Sequence, residues 1–426
     1  MRFVQIIFVF IFFAVIFSCK EEKDTTPPLV VINEPAEGSS FDVLDQVFIS
    51  AQASDNEQIT AIRSFLVFED GRNIALNGPS NGTVAPRVNF SANMALNDSL
   101  LPSGNYFIRI EADDGRNVTS AFRSIQITGI PRRKLALMAI GHEYLNANLY
   151  EDKNDLSFQL KMSFTREHQQ SLFIPNKQQL WSVELGGKQL KVIQLKENKV
   201  LLETSFSQNF NLPYEALATN GSSVYYATKE ELLAYSTSIV KRFSIFPAPN
   251  RQFGNMQVGE RYLLIEEADL VNTNRQLRIL FNDNGAQFGS VNLSEESEDI
   301  FFRNRNNALI FSNSNGKGVI DEIHIEQTQI SNLYNLSDSI VEVVPLNSTQ
   351  YLISTDKGVF EFDYASRSLL TRVNKLNAKL AFDEINQEVF IAENKTIYSY
   401  SYPTFQLMNT GSFAEYVSQL IVRYNY

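Results

Sequence analysis

Short apolar runs separated by turns recur along most of this chain. The segment from Tyr351 to Asp363 reads YLISTDKGVFEFD: apolar residues, a small or polar residue, a turn, and then apolar residues at alternate positions. Alternation with a period of two is typical of half-buried β-strands. The pattern therefore predicts a repeated β-unit. Related segments begin at Leu172, Val224 and Val389, and more loosely at Leu309.

The spacing of these units predicts a β-propeller. Their first apolar strands begin at positions 135, 172, 224, 263, 309, 351 and 389. The mean spacing is about 42 residues, which is typical of a four-stranded propeller blade. Each unit has apolar positions on both faces of its sheet, and a closed ring covers these faces without end caps. We expect about seven blades over residues 131–426, with six or eight as alternatives because the first and fourth units are irregular.

The end of the chain offers a way to close this ring. After the last full unit, Phe413 to Tyr426 (FAEYVSQLIVRYNY) contains strand-forming residues that have no blade of their own. We expect Ser418–Tyr424 to pair with the segment near Leu135. The two ends of the region would then complete one blade together.

Residues 29–130 predict a separate all-β domain. Short β-rich runs alternate with Gly, Pro, Asn and Asp turns, and Tyr106 to Ala112 (YFIRIEA) alternates cleanly between two faces. Strands of this length and spacing favour an antiparallel sandwich. Ala53-Ser54-Asp55-Asn56 and the Asp-Asp-Gly stretch at 113–115 resemble bacterial immunoglobulin-like modules, which implies that fold but no particular function.

Four acidic residues of this domain are candidates for binding calcium. Asp55, Glu57, Asp113 and Asp114 would hold a calcium ion through their carboxylate oxygens if they met at one end of the sandwich. The alternative is that each carboxylate bonds the backbone of its own turn. No other metal or cofactor is expected.

The N-terminus has the pattern of an export signal. Ile6 to Phe17 is an unbroken apolar run of 12 residues. Such a run spans about 18 Å as a helix, short of the ~30 Å hydrocarbon core of a membrane, so it is typical of a signal peptide. It ends at Ser18-Cys19, which contains the single cysteine of the chain. This stretch resembles the lipobox of bacterial lipoproteins, which implies cleavage after residue 18 and acylation of Cys19.

The residues after Cys19 bear on location. Lys20-Glu21-Glu22-Lys23-Asp24 begins a tether over residues 19–28 and resembles the surface-export signal of certain Gram-negative lipoproteins. The resemblance implies a lipid anchor in the outer membrane with the protein exposed on the cell surface. The alternative is the periplasmic face of that membrane, with the charged run serving only as a solvated tether.

Composition and charge narrow the classes of function. The chain has 37 basic and 48 acidic residues, for a net charge of −11, which disfavours nucleic acid as a partner. One cysteine excludes an intrachain disulfide framework, and three scattered histidines offer little for a metal site. The hydrophobic share of 44% excludes wholesale disorder.

One unit carries a more specific resemblance. Ser354, Thr355, Gly358, Val359 and Asp363 fit the repeat of sensor-type propellers, a family that implies a binding or sensing module. No nucleophile elbow, zinc-protease or phosphate-loop motif is present, so no catalytic residue is assigned.

Isolated residues of chemical interest have structural interpretations. We expect His142 and His168 in surface loops, His324 on a strand, and Trp181 in the core. Three polar segments are candidates for loops at a propeller rim, with ordinary solvated turns as the alternative. They are Glu266–Asp269, Glu295–Asp299 and Arg303–Asn307.

The sequence favours a binding or scaffold protein over an enzyme. We expect it to be anchored to the membrane through Cys19 and to recognise an unknown protein or glycan through the propeller rim. One alternative is a carbohydrate-active enzyme, a glycan hydrolase or lyase, with its site at the rim. Another is an assembly subunit of an outer-membrane complex.

Overall fold

The computed structural model describes residues 25–68, 73–98, 101–143, 146–153, 155–164, 168–184, 189–205, 214–272 and 274–425. Over these ranges the chain forms 34 strands and one short 3-10 helix, Pro175–Lys177. It divides into two compact units, Met1–Pro131 and Arg132–Tyr426. Within the described ranges no helix is long and apolar enough to span a membrane. The predicted signal peptide, Cys19 and the run Lys20–Asp24 lie outside the described residues.

The N-terminal unit is built on one six-stranded sheet. Its order is β1-β3-β5-β6-β2, with β4 paired to β3 as well. The strands are β1 (Leu29–Glu34), β2 (Ser39–Asp42), β3 (Gln46–Phe68), β4 (Asn73–Ala95), β5 (Gly104–Asp113) and β6 (Val118–Thr128).

The long strand β3 makes this sheet curl. Its first part pairs with β1, its last part pairs with β5, and the register against β4 shifts between Ser54 and Ile59. As a result β1 lies against β6 although no ladder joins them. Ile49, Ile62 and Ile108 are fully buried inside the curl. The domain is all-β as predicted, and the immunoglobulin-like arrangement stays a prediction.

The second unit is a seven-bladed β-propeller, as the repeat spacing predicts. The first blade uses β7 (Lys134–Glu143), β8 (Asn146–Asp152) and β9 (Gln159–Ser163). Blade 2 is β10 (His168–Ile174), β11 (Gln179–Glu184), β12 (Gln189–Gln194) and β13 (Lys199–Ser205). Blade 3 is β14 (Tyr214–Thr219), β15 (Ser223–Thr228), β16 (Leu232–Ser236) and β17 (Lys241–Ile245). Blade 4 is β18 (Arg251–Val258), β19 (Tyr262–Asp269), β20 (Arg275–Phe281) and β21 (Gln287–Leu293).

The remaining blades follow the same plan. Blade 5 is β22 (Ser297–Phe302), β23 (Asn307–Ser314), β24 (Lys317–His324) and β25 (Gln329–Asn335). Blade 6 is β26 (Ile340–Pro345), β27 (Gln350–Thr355), β28 (Val359–Asp363) and β29 (Ser368–Val373). Blade 7 is β30 (Lys379–Asp383), β31 (Glu388–Glu393), β32 (Thr396–Ser401) and β33 (Leu407–Ser412). The last strand, β34 (Tyr416–Tyr424), returns to blade 1 in the order β34-β7-β8-β9.

The innermost strands form a closed circle. Each blade's first strand contacts the first strand of the next blade, from β34 through β10, β14, β18, β22, β26 and β30 back to β34. These strands therefore surround the central channel, and the fourth strand of each blade lies at the outer edge.

One apolar cluster lies between each pair of neighbouring blades. Successive residues of β7 show why: Leu137 and Ala139 pack against blade 7, while Met138 and Ile140 pack against blade 2. Because side chains alternate across a strand, an unbroken apolar run supplies a core on both faces. The seven clusters together make the ring one continuous packed body.

The predicted ring closure is confirmed. Strand β34 pairs antiparallel with β7, from Tyr416 opposite His142 to Tyr424 opposite Lys134. Both neighbouring blades also hold it, because Arg423 donates to Gln178 of blade 2 at 2.9 Å and the Tyr424 hydroxyl lies 3.2 Å from Asp383 of blade 7.

The repeat alignment was wrong in blade 2. Leu172 lies in the inner strand β10, whereas the other matched units begin in the second strand of their blade. The error arose because β10 is apolar and imitates the second strand. The second strand of blade 2 contains Leu180. When that residue replaces Leu172 as the start of the repeat unit, the spacings from position 135 and to position 224 become 45 and 44 residues, and the first part of the repeat is regular.

Deleting residues 414–426 should unfold the propeller, because blade 1 then loses its inner strand and blades 7 and 2 lose their shared neighbour. We expect loss of the cooperative melting transition of residues 132–413, measured by circular dichroism. The control is Tyr416→Ala, which removes an exposed side chain of β34 and its contacts with His142 and Lys395 but leaves the strand paired; it should lower the free energy of unfolding by only about 1 kcal/mol and keep the transition cooperative. An unchanged melting curve for the deletion would reject this account of closure.

Candidate functional site

The antiparallel blades define two rims. Turns from first to second and from third to fourth strands lie on one rim, which we call rim one. Turns from second to third strands and the links between blades lie on the opposite rim, rim two. In propellers such loops gather around the channel mouth, where ligands bind.

Polar side chains join the inner strands to one another. The Gln419 carboxamide on β34 accepts from the Ser171 N–H at 2.8 Å and donates to the Ser171 carbonyl at 2.9 Å. The Gln170 oxygen on β10 accepts from the Leu217 N–H at 3.2 Å. Both glutamines stand where the inner strand shifts register against its neighbour.

The same pattern continues on the opposite side of the channel. Asn255 on β18 donates to the Glu298 carbonyl at 2.7 Å, and an Asp299 oxygen on β22 accepts from the Val343 N–H at 3.0 Å. These bonds extend the inner ladder from blade to blade. Polar residues on the inner strands are thus first of all structural.

Two carboxylates of this inner circle titrate near neutral pH. Burial, reinforced by the charge of Glu342, raises the pKa of Asp299 to about 8. Burial also raises the pKa of Glu342 to about 7, although Lys379 opposes the rise from 3.6 Å away. Both residues are half-buried overall, and the Oε2 atom of Glu342 is enclosed away from solvent.

A cleft of about 470 Å³ opens on rim one between blades 4 and 5. Three turns supply it: 259–261, 282–286 and 303–306. Its volume lies within the range of small-molecule sites. The lining residues are Glu260, Arg261, Phe281, Asn282, Asp283, Asn284 and Arg305.

The buried residue Asn282 fixes the floor of this cleft. Its side-chain amide donates to the carbonyls of Gly259 at 2.8 Å and Glu260 at 2.9 Å. Its own carbonyl accepts from the Tyr225 hydroxyl of blade 3 at 2.6 Å. Gly259 is packed so closely against Phe302 of blade 5 that a Cβ there would lie 2.7 Å from the ring. Blades on both sides therefore hold the cleft in shape.

Arg261 and Arg305 are the cations of the cleft, and both are exposed. The Arg261 guanidinium lies 5.2 Å from the ring centre of Tyr262 and 5.4 Å from that of Phe281. Within the described residues, neither guanidinium has a carboxylate oxygen inside the 4.0 Å ion-pair distance. Glu260 and Asp283, also exposed, bring two carboxylates to the same cleft.

The predicted loop Glu266–Asp269 is not a loop. It lies within β19, where Glu266 and Glu267 are fully buried. Each carboxylate is neutralised: Glu266 pairs with Arg275, and Glu267 accepts from Arg278 at 2.8 Å. Charge alone suggested solvent, but compensation by guanidinium groups on the adjacent strand makes burial possible.

The other two predicted rim segments are divided by the fold. In Glu295–Asp299 the first two residues precede β22, and Asp299 lies on that inner strand. In Arg303–Asn307 the residue Arg303 donates to Glu322 at 2.9 Å and lies 3.2 Å above the ring centre of Tyr364. Only Arg305 of this segment lines the cleft.

The histidine predictions have mixed outcomes. His168 is buried in β10, and its Nε2 lies 2.9 Å from the Ser171 hydroxyl, so a surface loop was wrong. Burial lowers the pKa of His168 to about 3, which keeps the ring neutral. His142 lies in β7 rather than in a loop. His324 on β24 and the buried Trp181 are confirmed.

Acidic residues of the N-terminal unit bond the backbone of their own turns. Asp55 accepts from the Glu57 N–H at 2.8 Å, and Asp113 accepts from the Gly115 N–H at 2.8 Å. Turn N–H groups and Asn117 bond Asp114 and lower its pKa against the opposing effect of burial. In the described part of the chain no group of three or more His, Cys, Asp or Glu side chains is arranged to hold a metal ion. Calcium binding stays a prediction.

Comparison with known proteins adds the fold alone. No protein-family model and no curated protein matches the chain. Among solved structures, the chain is similar to U3-55K, with a TM-score of 0.51 and 8% identity over 61% of this chain and 86% of that one. The chain is also similar to a Bacteroides caccae protein of unknown function, with a TM-score of 0.42 and 11% identity over 57% of this chain and 97% of that one. For the dihydro-heme d1 dehydrogenase NirN the TM-score is 0.47, with 12% identity over 68% of this chain and 75% of that one.

The fold defines the class of protein. The chain is a seven-bladed β-propeller protein with an additional N-terminal β-unit. The sequence analysis did not predict the cleft, because its residues come from three separate turns whose proximity depends on how blades 4 and 5 pack. Of these residues, only Arg305 lies in a segment predicted to be at a rim.

Replacing Asp299 by asparagine should stabilise the propeller at alkaline pH. A carboxyl whose folded pKa is raised contributes stability at low pH that is lost as pH rises toward about 8. We expect a gain on the order of 1–3 kcal/mol at pH 8.5 and almost none at pH 4, because the amide oxygen still accepts from Val343. Melting temperatures across pH 4–9 measure this effect.

The control for this prediction is Glu326→Gln, which changes an exposed carboxylate between β24 and β25 of blade 5 that is not among the groups shifting the pKa of Asp299. It should leave the pH profile of wild type unchanged. Parallel profiles for wild type and Asp299→Asn would contradict the assigned pKa.

Proposed function

We propose that this chain is a lipid-anchored binding or scaffold protein of the outer membrane that uses the rim-one cleft for non-covalent recognition. The supporting observation is the cleft itself, whose floor is fixed by Asn282 and whose walls belong to neighbouring blades. A site that is already rigid loses little conformational entropy when a ligand binds. Exposed arginines, carboxylates and an aromatic ring give it the mixed chemistry typical of recognition.

The location is the second part of this proposal. Its support is the apolar run before Cys19, the single cysteine at its end and the charged run Lys20–Asp24. Acyl chains on Cys19 would hold the protein at the membrane, since each buried methylene contributes about 0.8 kcal/mol. Cell-surface exposure is the proposed orientation, with the periplasmic face as the alternative outcome.

An enzyme remains the second candidate because the cleft contains two carboxylates, Glu260 and Asp283. Glycan hydrolysis needs one carboxyl that is kept protonated, which usually requires burial. Both of these side chains are exposed, which favours binding over hydrolysis. An assembly subunit would instead be recovered from detergent extracts with a stoichiometric membrane partner.

Mass spectrometry of the membrane-extracted protein tests the anchor. We expect the mature chain to begin at Cys19 and to carry acyl groups. Protease added to intact cells should degrade the wild type, whereas a variant with residues 20–24 all replaced by serine should survive until the outer membrane is breached. Tether length and acylation are the same in both proteins. An unmodified mature N-terminus elsewhere would contradict the lipid anchor.

Blocking the cleft tests the binding site. A panel of neutral oligosaccharides, acidic oligosaccharides and peptides is first screened for a compound that raises the melting temperature of the wild type. Asn284→Trp should abolish that rise. Asn347→Trp is the control, because both asparagines are exposed on rim one and accept from an N–H two residues on, at 2.8 and 2.9 Å. Asn347 also bonds Gln350, so this variant must first show an intact melting transition without ligand. Equal responses from the two variants would place binding elsewhere. Cleavage of the ligand, lost in Glu260→Gln or Asp283→Asn, would favour the enzyme.

A further inference from the structure

The cleft brings together two arginines that have no carboxylate partner among the residues that the structure describes. Most of the other arginines in the described part of the propeller pair with a carboxylate, as Arg278 does with Glu267 at 2.8 Å and Arg372 does with Glu361 at 2.8 Å. Arg261 and Arg305 share one cleft and, within the described residues, form no such pair. In a chain of net charge −11, two guanidinium groups that share one cleft and form no such pair can bind an anionic ligand.

Guanidinium groups match one ligand chemistry best. An arginine fork donates two parallel hydrogen bonds to a carboxylate, and the pairing is charge-assisted. The rings of Tyr262 and Phe281 beside Arg261 restrict that side chain, so less entropy is lost when it binds.

The two acidic side chains of the cleft limit which carboxylate ligand fits. Glu260 and Asp283 would repel an acidic peptide, which has no hydroxyl groups to offset that repulsion by hydrogen bonding to the two carboxylates. Sugar hydroxyls, by contrast, donate hydrogen bonds to carboxylates such as these two. From this combination we propose that the cleft binds a carboxylate-bearing saccharide of the uronic acid type, with its carboxylate between Arg261 and Arg305 and its hydroxyls on Glu260 and Asp283. This inference rests on the proposed binding function and specifies its ligand class.

Calorimetric titration of the full chain with a short oligogalacturonate tests the proposal. We expect saturable binding that weakens as salt increases from 50 to 500 mM, since part of the attraction is electrostatic and is screened at about those concentrations. Arg261→Gln and Arg305→Gln should each raise the dissociation constant at least about fivefold, the loss of one charge-assisted pair at a partly exposed site. Arg367→Gln is the control, because Arg367 is exposed in the β28–β29 turn of rim one but does not line the cleft.

The alternative outcomes separate this inference from the broader function. A neutral galactose oligomer that binds as tightly as the charged one would overturn the carboxylate assignment while leaving recognition at the cleft intact. Tighter binding of a short polyglutamate peptide would overturn the saccharide assignment. If the arginine variants and Arg367→Gln bind oligogalacturonate equally, the cleft is not its site. Failure of every panel ligand to distinguish Asn284→Trp from Asn347→Trp would reject the proposed function itself.

Discussion

The structure depends on covering sheets that are apolar on both faces. The second strand of each blade, such as the run at Leu137–Ile140, sends alternate side chains into two different inter-blade clusters. No blade can bury both faces alone, so each depends on two neighbours. A ring satisfies every blade only when it closes, and the pairing of β34 with β7 provides that closure from opposite ends of the propeller's own chain.

Ring closure also explains why polar side chains lie on the inner strands around the channel. The inner strands lie side by side around the channel without a continuous backbone ladder, and side chains such as Gln419 and Asp299 supply the missing bonds. Carboxylates at these positions become hard to ionise, as the pKa of about 8 at Asp299 shows. Groups that bond the scaffold in this way are poorly available to a ligand, which leaves the turns of the rims as the surfaces for recognition.

Several features could be predicted because they depend on local pattern. Blade length and the unpaired terminal strand follow from the period and alternation of apolar residues, and both are confirmed. The errors came from judging single residues by their usual environment. The charge of Glu266 and Glu267 predicts a loop, and the polar ring of His168 predicts the surface. Arg275, Arg278 and Ser171 nevertheless provide partners for these side chains in the interior.

The all-β class and the propeller with its closing strand could be predicted from the sequence, as could the expected anchor at Cys19. Each depends on a pattern within a continuous stretch of residues. Which charged groups are buried, and which meet at the cleft, depends on how the strands and blades pack together. Arg261, Asn282 and Arg305 lie on separate turns, and their proximity depends on how blades 4 and 5 are aligned. Hydrophobic period fixes the type of each element, but alignment arises from packing between elements, which no single stretch of sequence encodes.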